Sequence, residues 1–370
     1  MGTVEANALA AIVGGVVVAV VAFVPEVAYR YRRAGWFGWN DLVALVVVPV
    51  YGLALWTYTL LPLPDPDDLV CRDPLTTPLH SIDDVRAAGV DSLADLVTNP
   101  DLAQVVLNVV LFVPLGVVLR WRYRRGVVVS LVVGFVTSLA IETTQLTGIW
   151  GIYDCAYRFF DVDDLITNTT GAVVGSLLSW VVLRHRRPAP TVDEARMMTA
   201  GQRFVAVVCD VLTILLVGTA TLIGYQSVAY ALADLEPTDI AVDLQRALQW
   251  GVPFLLEAVA VLGSGRTVGE WAVRLATVAS RPGWTVPGRF VKLVCGPGVV
   301  VALGWWDSPW ALLLLVAYMV AAAVAAVAWP DHRGLANGVA GLRPYVTPRR
   351  TDHEPDEPGV VQGDEGSIAP

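Results

Sequence analysis

Seven polar residues lie in or beside long apolar runs: Asn108, Glu142, Gln145, Arg158, Asp161, Asp164 and Asn168. A polar group in such a setting is costly to bury and marks a place where chemistry is expected. Glu142 and Gln145, three residues apart, share one face of a helix. Asn168 lies one turn after Asp164 on the same face. At 1.5 Å rise per residue, Asn108, Glu142 and Asn168 each fall within roughly 10 Å of one membrane boundary. Three helices can therefore aim amides and carboxylates into one cavity open to the outside. Three kinds of chemistry fit: a divalent-cation site using Glu142, Asp161 and Asp164, a proton-carrying carboxylate, or a polar headgroup site. A purely architectural role fits equally, with Arg158 paired to a carboxylate and amides bonding helix to helix. A second pair, Arg203 and Asp210, lies seven residues apart on one helix face near the opposite boundary. Asp210 is a candidate proton or cation relay, or a bonded contact within the bundle.

The elements that must position these residues are membrane spans. The chain has 370 residues, of which 55% are hydrophobic and 16% charged. A soluble domain carries about a quarter charged residues, and mean hydropathy is +0.58. Continuous rather than alternating apolar stretches exclude a membrane barrel. The fold expected is an all-α, polytopic transmembrane bundle of nine spans, at about 8–28, 41–61, 101–119, 127–147, 163–183, 204–224, 250–264, 290–305 and 310–329. The stretches 250–264 and 290–305 fall short of the ~20 residues a span needs. All but four of the 25 basic residues fall on alternate loops, the exceptions being Arg72, Arg86, Arg158 and Arg246. The positive-inside rule then places the N-terminus outside and the C-terminus in the cytoplasm. Trp36, Trp39, Trp121, Trp180 and Trp329 gather at cytoplasmic ends, and Trp56, Trp150, Trp250, Trp305, Trp306 and Trp310 at outer ends, as an aromatic belt requires. Met1–Leu9 has Glu5 and no basic residue, so the first apolar stretch reads as a retained anchor.

Composition divides the chain. A membrane unit over 1–183 includes an acidic outer loop, 62–100, whose 81–97 part suits a short surface helix capped by Ser81. A basic cytoplasmic linker follows at 184–202, then a second membrane unit at 203–345 with about four spans, and an acidic tail at 346–370 of disordered composition. The stretch 266–278 places Val268, Trp271, Ala272, Leu275 and Val278 at helical spacing, which suits a helix lying flat on the inner surface or packed on the bundle. Cys71 and Cys155 both fall outside, where an oxidising exterior allows a disulfide. The four histidines, at 80, 185, 332 and 353, are scattered and suggest no ligand cluster.

The run NVVLFVPLG (108–116), then IETTQL (141–146), then RFFDVDDLITNTTGAVVG (158–175) resembles the VanZ-like family. Asn108, Phe112, Pro114, Gly116, Glu142, Gln145, Arg158, Asp161, Asp164, Asn168, Gly171 and Gly175 match it in order and spacing over about 40–183. Pro114 interrupts a helix backbone, and Gly171 with Gly175 forms a small-xxx-small pair suited to close helix contact. The resemblance implies an envelope protein linked to low-level teicoplanin resistance, with no established reaction. Residues of about 200–345 resemble the RDD family through Arg203, Ala206 and Asp210, GRTVGEWAVRL (265–275) and DHRGLANGVAGLR (331–343). That resemblance implies ion- or proton-linked transport for some members. Three positions depart from it: Glu270 stands where a basic residue is common, and Ala336-Asn337 where His-Asp is usual.

A net charge of −9 argues against nucleic acid as a partner. No P-loop, dinucleotide-binding glycine run or GxSxG elbow is present, so no cofactor is implied. Nor does the sequence show a nucleophile beside an activating base, which ranks an enzyme acting on a lipid-linked substrate below the other readings. The leading expectation is a cell-membrane, envelope-associated factor whose outer polar residues meet membrane lipid or a lipid-linked wall component. An ion- or proton-coupled transporter working through the second unit is the alternative.

Overall fold

The computed structural model describes residues 3–61, 63–65, 69–87, 99–183, 198–232, 241–329 and 331–347. Most of the 184–202 linker, the 346–370 tail and the 88–98 part of the acidic loop lie outside the described residues. The chain is a helical, multi-pass membrane protein of the cell membrane. Among the described residues, eight helical stretches are long and apolar enough to cross a bilayer: Glu5–Arg33, Trp39–Leu60, Pro100–Trp121, Val127–Leu146, Ala200–Ala231, Val242–Ser264, Thr285–Trp305 and Pro309–Ala328. The fifth expected span is also a helix, Val162–Leu183, but it is not one of the eight. Its first half carries Asp163, Asp164, Thr167, Asn168, Thr169 and Thr170, which lowers its apolarity.

The chain forms two compact units, residues 1–26 with 37–192, and residues 27–36 with 193–370. The first contains most of α1 (Thr3–Arg33), then α2 (Trp39–Leu60), α3 (His80–Ala87), α4 (Pro100–Trp121), α5 (Val127–Leu146) and α6 (Val162–Leu183). The bilayer as solvent explains their patterning. On α5 the exposed side is Val128, Leu131, Val132, Phe135 and Val136, while Ser130, Gly134, Ser138, Ile141, Glu142 and Gln145 are buried. Apolar side chains gain nothing by leaving lipid, so small and polar residues take the interior and let backbones approach. Glycines set the closest approach, between α4 and α6. A Cβ at Gly116 would run into the Ala172 carbonyl, and one at Gly175 into the Val113 carbonyl. Phe112, fully buried, packs with Leu55 and Ile141 at the centre. Helix α4 runs unbroken through Pro114, and the Tyr51 hydroxyl donates to the Leu111 carbonyl at 2.8 Å.

Helix α4 starts cleanly because the Asn99 side chain accepts the Asp101 and Leu102 N–H groups, with Pro100 at the first helical position. At its other end Arg122 pairs with Glu26 and with Asp41, tying α4 to α1 and α2. The segment 69–79 runs beside 155–162. Arg72 N donates to Ala156 O at 2.9 Å, Leu75 N to Phe160 O at 2.8 Å, and Val162 N to Leu75 O at 3.1 Å. A Cys71–Cys155 disulfide fastens the two segments. Helix α3 begins at His80, one residue before the expected cap. Ser81 is not that cap: the Asp163 carboxylate accepts the Leu79 and Ser81 N–H groups.

The second unit holds α7 (Ala200–Leu232), α8 (Val242–Ser264), α9 (Val268–Ala272), β1 (Leu275–Ala279), α10 (Thr285–Leu293), α11 (Val299–Trp305), α12 (Pro309–Ala328), α13 (Gly334–Val339) and β2 (Leu342–Val346). A single π-helical turn, Val294–Gly298, joins α10 to α11 around Pro297. The expected helix over 266–278 is corrected here. Thr267 and Glu270 form a capping box that starts α9, and the chain leaves the helix at Arg274, which has φ +62°. Leu275 and Val278 then belong to β1, antiparallel to β2 with Leu275 opposite Val346 and Ala279 opposite Leu342.

Candidate functional site

Helices α4, α5 and α6 bring most of the first polar set together. Asn108 Nδ2 donates to Asp164 Oδ1 at 2.5 Å. Asn168 Nδ2 donates to Ser138 Oγ at 3.0 Å, and Ser138 Oγ to the Asp164 carbonyl at 3.3 Å. Glu142 Oε2 accepts the Asp161 backbone N–H at 2.9 Å, and Asp161 Oδ1 accepts the Asp163 N–H at 2.8 Å. Glu142, Asp161, Asp163 and Asn168 are buried, and Asn168 Oδ1 has no partner among the described residues.

Two expected members face elsewhere. Arg158 Nη2 donates to the Leu61 carbonyl at 3.0 Å, and Gln145 Nε2 to the Thr59 carbonyl at 2.8 Å. Tyr157 joins them by donating to Leu60 O at 3.0 Å. All three satisfy carbonyls that the end of α2 leaves without helical partners. Among the described residues Arg158 makes no ion pair with a carboxylate; its guanidinium meets a backbone acceptor at the helix end instead.

The histidine reading is also corrected. His80 Nε2 lies 3.5 Å from Asp161 Oδ2, and His80 Nδ1 lies 3.1 Å from Asp163 Oδ2 and 3.1 Å from the Thr77 carbonyl. His80, Asp161 and Asp163 each offer one ligand atom, all within 4.8 Å of one another. The grouping with metal-binding geometry thus contains His80 and Asp163 in place of Glu142 and Asp164. Sequence reading missed it because His80 reaches Asp161 only through the strapped loop. Burial works to lower the His80 pKa, but the Thr77 carbonyl and the two carboxylates outweigh it and raise it. Burial pushes the Asp161 carboxyl up.

The second unit holds a separate network of buried charges. Glu270 Oε1 accepts Arg203 Nη1 at 2.5 Å and Asn337 Nδ2 at 2.8 Å. Its Oε2 accepts the Thr267 N–H at 3.2 Å and pairs with the Lys292 ammonium, which also donates to Gly265 O at 2.8 Å. Burial works to raise the Glu270 carboxyl, but the Lys292 ammonium and the Arg203 guanidinium outweigh it and hold the pKa at about 2. Arg203 thus pairs with Glu270 rather than with Asp210, whose Oδ1 accepts the Gly269 N–H at 2.5 Å. Glu257 accepts the Val268 N–H at 3.3 Å, leaving its Oε1 without a partner among the described residues. Arg203, Asp210, Lys292 and Tyr318 line a cavity of about 50 Å³ against the π-helical turn. Glu270 and Asn337, which the sequence singled out separately, thus touch each other. Glu257 and Lys292 were not anticipated. The available signals were a carboxylate within an apolar span and the only lysine in the chain.

Residues 48–183 match the family model described as VanZ/LLP1. The matched stretch covers α4, α5 and α6 with every polar residue of the first cluster. No curated protein and no solved structure matches the chain.

Proposed function

We propose that the protein works in the cell envelope. In this reading the buried polar cluster of its VanZ-family unit meets the polar headgroup of a lipid-linked wall component at the extracytoplasmic face, and so lowers susceptibility to teicoplanin-type glycopeptides. The observation that carries the reading is the convergence on Asp164 and Glu142. Residues from α4, α5 and α6, far apart in sequence, meet at one end of the unit, the end that bears the Cys71–Cys155 disulfide. A disulfide suits an oxidising compartment, and the distribution of arginines supports an outward orientation of that end. Expression in a susceptible host tests this. Wild-type protein raises the teicoplanin inhibitory concentration; Glu142→Gln and Asp164→Asn proteins, at equal membrane levels, do not.

A second reading concerns the other unit and is favoured by its charge network. In this reading Asp210, half-buried, and Glu257, fully buried, which lie near the Arg203–Glu270–Lys292 group, carry a proton or a monovalent cation through an RDD-like unit. Reconstituted into liposomes, the wild type then gives cation-dependent proton flux and Asp210→Asn abolishes it. Intact flux in that variant removes Asp210 from the mechanism.

A further inference from the structure

We propose that His80, Asp161 and Asp163 form a zinc-type divalent-cation site, held at the end of the VanZ-family unit by the disulfide-strapped loop. The proposal stands whether or not the resistance reading holds. Three observations carry it.

The first is geometry. His80 Nε2 and Asp161 Oδ2 are 3.5 Å apart, with Asp163 completing a set in which all donor atoms lie within 4.8 Å. A nitrogen and an oxygen each about 2.0–2.2 Å from a tetrahedral zinc are separated by roughly 3.3–3.6 Å. The observed gap is long for a hydrogen bond and suited to an ion between the two atoms.

The second is charge. Glu142, Asp161, Asp163 and Asp164 bring four carboxylates to one place, and Glu142 interacts electrostatically with both Asp161 and Asp164. Among the described residues, the ion pairs of Asp161 and Asp163 involve His80 alone, whose charge depends on protonation. Arg158, which could have balanced them, donates to a backbone carbonyl instead. Asp161, 6% exposed, cannot rely on water to screen its charge. A dication answers that surplus.

The third is orientation. His80 Nδ1 is held by the Thr77 carbonyl at 3.1 Å. A proton on Nδ1 directed at the Thr77 carbonyl leaves a lone pair on Nε2, the atom 3.5 Å from Asp161 Oδ2, the arrangement that metal-binding histidines use. The carboxylates are held in turn, Asp163 by the Leu79 and Ser81 N–H groups and Asp161 by the Asp163 N–H. Three protein donors leave one tetrahedral position for water or for an oxygen of an anionic headgroup.

The test uses the full chain, without a histidine tag, in nanodiscs. Bound zinc is measured by elemental analysis and titration, with magnesium and calcium as competitors. The wild type binds one zinc per chain, and magnesium and calcium do not displace it. Asp161→Asn and His80→Ala each weaken binding by more than about 10-fold, while the count of free thiols shows that the Cys71–Cys155 bond still forms. X-ray absorption of the zinc-loaded wild type shows one imidazole with oxygen neighbours, a measurement that needs no variant to fold. No stoichiometric binding by the wild type, unchanged affinity in both variants, or a spectrum without imidazole would each overturn the proposal. His80 would then be a protonated partner of two carboxylates.

Discussion

Glu270→Gln removes one charge from a site where water cannot replace it. Glu270 and Lys292 are fully buried and Arg203 is 5% exposed. The carboxylate accepts four donors, two on each oxygen: Arg203 and Asn337 on one, Lys292 and the Thr267 N–H on the other. A glutamine keeps one acceptor oxygen and turns an NH₂ group toward the other two donors. At least one hydrogen bond to a cation is lost, worth about 1.5–3 kcal/mol, and one to a neutral donor, worth about 1 kcal/mol. Two buried cations also lose the ion-pair partner they share. The expected cost is about 3–5 kcal/mol, the range for breaking a buried ion pair on one side. Cys209 is a local reporter, because it is a buried free thiol on α7 in the same unit. Its labelling under native conditions requires the unit to open, so the rate rises by about 10²–10³-fold or more. Adding Lys292→Met restores part of the loss, and the double variant is milder than the sum of the singles by about 1 kcal/mol or more. The pH dependence has a definite sign. The Glu270 pKa is depressed from 4.5 to about 2. Its contribution is therefore fully present above pH 4.5 and is lost as pH falls toward about 2, in the wild type but not in the glutamine variant. A Glu270→Gln protein within about 1 kcal/mol of wild type, with the same acid sensitivity, would refute the reasoning.

Substituting Gly116 or Gly175 with alanine forces α4 and α6 apart, because each added Cβ meets a backbone carbonyl that cannot swing away. The cost is about 1–3 kcal/mol by heat unfolding, while Gly52→Ala, with open space around it, stays near wild type. Reducing the Cys71–Cys155 bond frees a loop whose ends are 84 residues apart. It lowers stability by about 2–4 kcal/mol, read as a lower unfolding temperature with reductant and unchanged behaviour in a Cys71→Ser/Cys155→Ser double variant.

Much of the architecture was legible because a bilayer imposes a simple rule. Helices α2, α4 and α5 begin and end within two residues of the apolar stretches that define them. Where helices continue past the apolar stretch, the sequence signal stopped early. Helix α8 starts at Val242 rather than 250, since VDLQRALQ is helical but polar on one side. The β1–β2 pair was invisible for another reason: each strand is five residues long, and its partner is more than 60 residues away. Glu142, Asp164, Asn108 and Asn168 could be identified because charge and amides stand out among valines and leucines. Which of them touch could not be read from depth alone. Arg158 shows why, as a helix end that needed donors took it away from the acids. His80 shows the converse: a loop residue without a local pattern becomes part of a cluster through the strap that Cys71 and Cys155 fasten.

If the polar end of the first unit is the working site, substitutions there change the teicoplanin inhibitory concentration. The comparison is between a susceptible host carrying wild-type protein and one carrying Glu142→Gln or Asp164→Asn protein at matched membrane levels. The concentration rises with the wild type, and both substitutions remove the rise. A rise that survives both, or no rise from wild-type protein confirmed in the membrane, would contradict that role.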